Sequence, residues 1–377
     1  MTAPRRITFL ATEDWFVASH FRPMVRAARA MDLAVDVIAR VRSHRQVLEE
    51  DGARVIPLEA ERRSLNPLAA GDAAGRTAAI LRSTRPDIVH CIALRPILLG
   101  GCACLMAGID RRVYALTGLG YLGVRPGLLG TAARRALRFA VTGPLRTRRT
   151  RFLFENDDDP ALLGLRPEEP AVTILGGAGI DPERLRPAPL PDAPPLRVAL
   201  VARMLWQKGP DLAVEAVRRL RREGVPIELS LYGAPDPSNP RAVPAETLAA
   251  WSAEPGIAWH GATEDVGSVW AAHHVALLPS RGGEGLPRTL LEAASCGRAI
   301  VTTDVPGCRR FVRDGRDGFV VPPDDPAALA DALRRLAADP ALPARMGESA
   351  RARVLDGFTE TDVAAAVQNL WAGMLAA

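Results

Sequence analysis

Short apolar runs alternate with helical patterns along the whole chain. This is the feature that most restricts its fold. In the first half, 6–11, 34–39, 87–91, 112–115, 151–154 and 171–175 read as strands, with helical stretches such as 67–82 between them. These runs lack the alternation of a one-sided sheet, so they predict strands buried on both faces of a parallel sheet covered by helices. The same pattern restarts at 197–201 and continues through 228–232, 257–260, 275–278, 299–302 and 319–321. Along 211–222, Leu212, Ala213, Ala216, Val217 and Leu220 form one apolar stripe.

The break between the two series holds Pro182, Pro187, Pro189, Pro191, Pro194 and Pro195, a run too poor in N–H donors for a sheet. The expected organisation is a Rossmann-like domain at 1–180, a linker at 181–195, a second such domain at 196–357, and a terminal helix at 358–377 that crosses back to the first. Two doubly wound parallel-sheet domains facing across a cleft would gather ligands at the carboxyl ends of their strands.

The chain has 377 residues and a formal charge of +5. Its basicity is concentrated: 125–151 carries eight arginines and no carboxylate. Written as a helix, 131–141 sets Ala133, Ala136, Leu137 and Ala140 beside an arc of Arg134, Arg135 and Arg138. Such a stripe suits an anionic membrane surface, and it equally describes a solvated face of an arginine-rich protein. Few aromatics interleave with it, which argues against nucleic acid. The apolar run 7–11 is too short for a signal-peptide core, and 96–109 is too short to span a bilayer. Cys91, Cys102, Cys104, Cys296 and Cys308 form neither a C-x-x-C pair nor a ligand cluster, as expected of free thiols in a cytoplasmic protein.

Against 47 arginines the chain has a single lysine, Lys208, placed with Arg203 where the strand 197–201 gives way to a helix. A compact ammonium there points to a phosphate-bearing ligand. After the strand at 275–278 comes Ser280-Arg281-Gly282-Gly283-Glu284-Gly285-Leu286-Pro287, whose glycines let backbone N–H groups approach a ligand at a helix start. Glu292 follows eight residues after Glu284, read as about two turns into that helix and able to accept both ribose hydroxyls. Arg203 and Lys208 would then neutralise a leaving diphosphate in place of a metal ion.

These residues resemble the signature of retaining GT-B glycosyltransferases of family 4, and the likeness extends through 261–265, 277–280 and 293–301. The resemblance implies donor binding by Arg203, Lys208, Gly282, Gly283, Glu284, Gly285, Leu286 and Glu292. Arg203 and Lys208 would take the diphosphate, Glu292 the ribose and Glu284 the transferred sugar. In the first half, 13–16, 19–23, 63–67, 117–121 and 154–156 are similar to the PglA-type N-acetylgalactosaminyltransferase subgroup. That likeness implies a UDP-sugar donor, a polyprenyl-diphosphate-linked sugar acceptor, no metal cofactor, and a peripheral position at the inner face of the cell membrane.

The family's usual histidine after the strand at 112–115 is replaced here by Thr117. His20, read as lying in the loop from the first strand to the first helix, is the substitute on the acceptor side, with Thr117, Gly118 and Asn156. A helix-cap or packing role for His20 stays open. His90 reads as a buried, hydrogen-bonded histidine. Asn156 to Pro160 reads as a helix cap rather than a metal-binding D-x-D, and His273-His274 as a helix C-terminal cap. The expected activity is glycosyl transfer with attack from the leaving-group face. The rival readings are a non-catalytic nucleotide-sugar binder and a nucleotide-sugar epimerase or phosphorylase on the same architecture.

Overall fold

The computed structural model describes residues 4–59, 67–118, 127–236 and 239–376. The chain divides into two compact units, Met1–Gly179 with Glu360–Ala377, and Ile180–Thr359.

The first unit holds β1 (Arg6–Glu13), β2 (Ala34–Arg40), β3 (Ala53–Pro57), β4 (Ile88–Ile92), β5 (Arg112–Leu116), β6 (Thr150–Phe154) and β7 (Val172–Ile174). They form an all-parallel sheet in the order β3-β2-β1-β4-β5-β6-β7. Central β4 and β5 are buried along their whole length, as apolar runs without alternation require. Edge strand β3 has no counterpart among the strands expected from the sequence. Its Arg54 is exposed and its last residue is proline, an edge-strand pattern that dilutes the apolar signal. Buried Asp36 on β2 fixes its place, accepting from Arg54 at 2.8 and 2.9 Å and from Arg6 on the opposite neighbour at 3.0 Å.

The second unit holds β8 (Leu196–Val201), β9 (Ile227–Tyr232), β10 (Ile257–Trp259), β11 (Val275–Leu278), β12 (Ala299–Thr303) and β13 (Gly318–Val321), again all parallel, in the order β10-β9-β8-β11-β12-β13. The strand order reverses between β1 and β4 in one unit and between β8 and β11 in the other. Such switch points open a crevice at the carboxyl ends of the strands.

The proline-rich segment 181–195 counts with the second unit and is fastened along it. Ser295 donates to the Leu185 carbonyl at 2.7 Å, Arg298 to that of Ala188 at 2.8 Å, and His274 Nε2 to that of Pro191 at 2.9 Å. The terminal helix Glu360–Ala376 packs into the first unit's core through Val363, Val367, Trp371 and Met374. Arg111 and Arg5 cap its last turn by donating to the Met374 and Leu375 carbonyls. The chain therefore crosses between units at 179–180 and again at 359–360. Beside the crossings, Ile180 pairs with Thr359 and donates to the Phe358 carbonyl at 3.1 Å. Among the described residues no helix is long and apolar enough to cross a membrane, and all five cysteines are free.

Candidate active site

At the second unit's switch point, the turn after β8 meets the loop after β11. The turn carries Trp206–Lys208 as a single 3-10 turn and ends at Gly209, whose φ of +71° favours glycine. A Cβ on Gly209 would stand 2.1 Å from the Pro279 carbonyl oxygen, so only glycine lets the two segments touch here. Arg281 then stitches them together. Its backbone N–H donates to the Gln207 carbonyl at 2.8 Å, and its guanidinium donates to the Trp206 carbonyl, to both Asp211 oxygens at 2.8 Å, and to Asp324 at 2.6 Å.

This stitching brings together side chains 76 residues apart. Lys208 Nζ lies 2.7 Å from both Oε1 and Oε2 of Glu284, and the two side chains are only 18% and 14% exposed. Buried Ser280 donates to Glu284 Oε1 at 3.0 Å and accepts from the Gly282 N–H at 3.2 Å. Its own carbonyl is held by the Thr303 hydroxyl. Gly282 and Gly283 take φ values of +111° and +79°, which turn the loop so that Glu284 faces the lysine. In the sequence Lys208 and Glu284 stand out separately. Ser280, which orients the carboxylate, carries no such signal beyond its place two positions before the first glycine.

The helix after this loop is Arg288–Ser295, with extended Pro287 preceding it. Glu292 is therefore one turn into the helix, a correction to the two turns expected, because Pro287 keeps Glu284–Pro287 out of it. Arg288 Nε donates to Glu292 Oε1 at 2.9 Å across that turn. Burial pushes the Glu292 carboxyl above its usual range, while Arg288 and Arg184 pull it back. Arg203 is half exposed and leans on Asp236 at 3.4 Å. Both line a cavity of about 370 Å³ at the ends of β8, β9 and β10, with Tyr232, Gly233 and Thr263 also in its wall. Tyr232 stacks on His260 at 4.5 Å beside it.

In the first unit the expectations fare differently. β1 passes straight into the helix Asp14–His20, so His20 lies in that helix's last turn, not in a strand-to-helix loop. The cause is Asp14, which starts the helix at once, accepting from Trp15 N at 2.8 Å and from the backbone N–H groups of the sequence-distant Arg42 and His44 at 2.8 and 2.9 Å. The His20 ring packs on Phe16 at 4.8 Å, with Nδ1 2.6 Å from the Ser19 hydroxyl. Thr117 and Gly118 stand just beyond β5, whereas Leu119 to Tyr121 of the same motif lie outside the described residues, as do Arg63 to Asn66.

Asn156 is buried and its side chain serves its own turn. Oδ1 accepts from Asp158 N and Asp159 N at 3.1 and 2.9 Å, and Nδ2 donates to Asp159. These bonds form a turn leading into the helix Asp159–Leu162, as the helix-start reading expected, but through Asn156 and not through the cap residue Asp158, which makes no side-chain cap bond. His273 donates to the Val269 carbonyl at 2.6 Å at its helix end, as expected, whereas His274 departs from the cap expected of the pair, accepting from the Arg197 N–H at 3.0 Å and donating to the Pro191 carbonyl. His90 corrects its expectation: fully buried, it has no hydrogen-bond partner at either ring nitrogen among the described residues. On the helix Gly127–Thr142, Arg135, Arg138 and Phe139 are exposed, Phe139 by 73%. The Arg138 guanidinium lies over Gly164, and Arg134 donates to Thr131 at 3.2 Å. The switch point between β1 and β4 is flanked by Thr12 and Arg95, which line a cavity of about 20 Å³ and were not singled out from the sequence. Among the described residues no group of His, Cys, Asp or Glu is placed to hold a metal ion.

Residues 6–143 match the family described as Glycosyl transferase 4-like, and residues 195–339 the family described as Glycosyl transferases group 1. The chain is 25% identical, over 88% of its length and 89% of the relative's, to N,N'-diacetylbacillosaminyl-diphospho-undecaprenol alpha-1,3-N-acetylgalactosaminyltransferase of Campylobacter jejuni. It is 31% identical to the putative colanic acid biosynthesis glycosyltransferase WcaL of Escherichia coli, over 45% of this chain and 43% of that one. Among solved structures, Anabaena Alr3699/HepE in complex with UDP-glucose superposes with a TM-score of 0.78 at 17% identity, covering 99% of this chain and 100% of that one. Sucrose-phosphate synthase from Thermosynechococcus elongatus gives 0.79 at 18% identity, covering 99% of each chain. Both are likenesses of fold.

Proposed function

This chain is a glycosyltransferase of the GT-B type, with a Glycosyl transferase 4-like first half and a Glycosyl transferases group 1 second half, and from that premise we propose its reaction. It moves a hexose or N-acetylhexosamine from a UDP-sugar to a polyprenyl-diphosphate-linked sugar during polysaccharide or glycan assembly, with retention at the anomeric carbon. The observation that carries this reading is the Lys208–Glu284–Ser280 cluster over the switch point between β8 and β11. The UDP-glucose complex of the Anabaena neighbour supports the nucleotide, and the name of the Campylobacter relative supports the acceptor.

In this reaction Arg203 and Lys208 receive the charge that builds on the departing diphosphate, so no metal ion is required. Glu292 accepts the ribose hydroxyls and Glu284 a hydroxyl of the sugar. Gly282, Gly283, Gly285 and Leu286 shape the loop around them. The acceptor oxygen bonds to the anomeric carbon on the face from which the diphosphate leaves, and its proton passes to the departing phosphate oxygen. His20, Thr117, Gly118 and Asn156 are assigned to the acceptor side. The enzyme works peripherally at the inner face of the cell membrane, with the helix that carries Arg134, Arg135 and Arg138 set against anionic lipid.

The test is a screen of UDP-sugars against a polyprenyl-diphosphate sugar, reading the lipid-linked disaccharide. Lys208→Ala and Glu292→Ala are each expected to lower kcat/KM by about 100-fold or more. Formation of an isomerised sugar nucleotide, or donor binding with no UDP release in the presence of acceptor, would sink the assignment. A trapped glycosyl-enzyme adduct would count against front-face attack.

A further inference from the structure

We propose that Glu284 makes the donor pocket prefer a nucleoside diphosphate that still carries its sugar over the bare nucleoside diphosphate. The inference rests on the reading that Lys208 receives the donor diphosphate, and it adds to that reading a reason for the product to leave.

Without a ligand, the ammonium of Lys208 is already neutralised, since both carboxylate oxygens of Glu284 lie 2.7 Å from it. The pair is largely withdrawn from solvent, so screening weakens it less than an exposed pair. A phosphate that reaches this lysine must share the ammonium with the carboxylate or displace it, and either way it meets the Glu284 charge. Displaced, Glu284 keeps the Ser280 hydroxyl at 3.0 Å as a donor but stands beside a second anion.

The loop has little room to carry the carboxylate away. Thr303 holds the Ser280 carbonyl, Arg281 is tied to Trp206, Asp211 and Asp324, and behind the loop a Cβ on Gly307 would stand 2.0 Å from the Gly285 oxygen and 3.1 Å from the Glu284 oxygen. The backbone of Glu284 therefore stays beside the lysine, and its displaced carboxylate needs new partners nearby. A sugar on the distal phosphate brings hydroxyls that donate to it and separate it from the phosphate charge. Bare UDP carries no hydroxyl on its distal phosphate, so that phosphate meets the carboxylate's charge without compensation. The same residue thus favours the substrate that enters over the diphosphate that must depart.

The test is calorimetric titration of the full chain, as wild type, Glu284→Gln and Lys208→Ala, with UDP, UDP-glucose and UDP-N-acetylgalactosamine. Glu284→Gln is expected to bind UDP about tenfold more tightly than wild type while gaining nothing on the UDP-sugar that wild type prefers. Lys208→Ala weakens both. Glu284→Ala, expected to show the same gain, replaces the glutamine variant should that one melt early. Unchanged or weaker UDP binding in both Glu284 variants, with Lys208→Ala impaired, overturns the inference and leaves the donor reading standing. Lys208→Ala binding UDP as well as wild type overturns both.

Discussion

Within the first unit, His90 lies against Phe9, Phe21 and Trp371 at centroid distances of 5.1, 6.4 and 6.0 Å. Its ring nitrogens lack partners among the described residues, and burial pushes its pKa down to about 3. In the unfolded chain the same ring titrates near 6.5. As pH falls from that value toward about 3, the unfolded chain takes up a proton that the folded one refuses, so stability is lost across this window. Replacing the ring with Phe removes both the unpaired polar atoms and the titration. His90→Phe is expected to gain about 1 kcal/mol near neutral pH and to lose less stability than wild type between pH 6 and 4, measured by chemical denaturation. A variant with the same acid sensitivity as wild type would show that other groups govern it. Lys208 could be read from the sequence because a lone lysine at a strand end is conspicuous. Its closure onto Glu284 could not, since that contact depends on β8 and β11 being neighbours.

At the scale of elements, the strands of the second sheet were legible because β11 and β12 are continuous apolar runs and β9 alternates cleanly, whereas β3, with Arg54 exposed and Pro57 at its end, was not. Helix starts were harder to read. Asp14 begins a helix directly from β1, and Pro287 delays the next one by a turn, so His20 and Glu292 fall elsewhere on their helices than spacing suggested. The helix Gly127–Thr142 was legible as a basic stripe, but the 73% exposure of Phe139 beside Arg135 and Arg138 was not. An exposed aromatic among cations suits the headgroup boundary of an anionic bilayer. Phe139→Asp and Arg135→Glu are each expected to lower co-sedimentation with phosphatidylglycerol vesicles severalfold, with a change in fold stability of about 0.5 kcal/mol or less. Vesicle binding equal to wild type in both variants would leave the stripe a solvated face.

At the scale of the molecule, the two series of strands were legible as two units, and the proline-rich break marked the place where one ends. That the break is fastened to the second unit was not, because its anchors come from Arg298, His274 and Ser295, far along the chain. The terminal helix contributes Val363, Val367, Trp371 and Met374 to the first unit's core, and losing one such buried side chain costs about 2–5 kcal/mol. A chain ending at Thr359 is therefore expected to retain UDP binding by its second unit while its first unit becomes protease-sensitive, as read by limited proteolysis with mass spectrometry. Equal resistance in the first unit would contradict that role for the helix. A ribosome delivers this protein from its amino end, so the half made first must wait, unsealed, for a helix made after the second half. The half made second can therefore close before its elder.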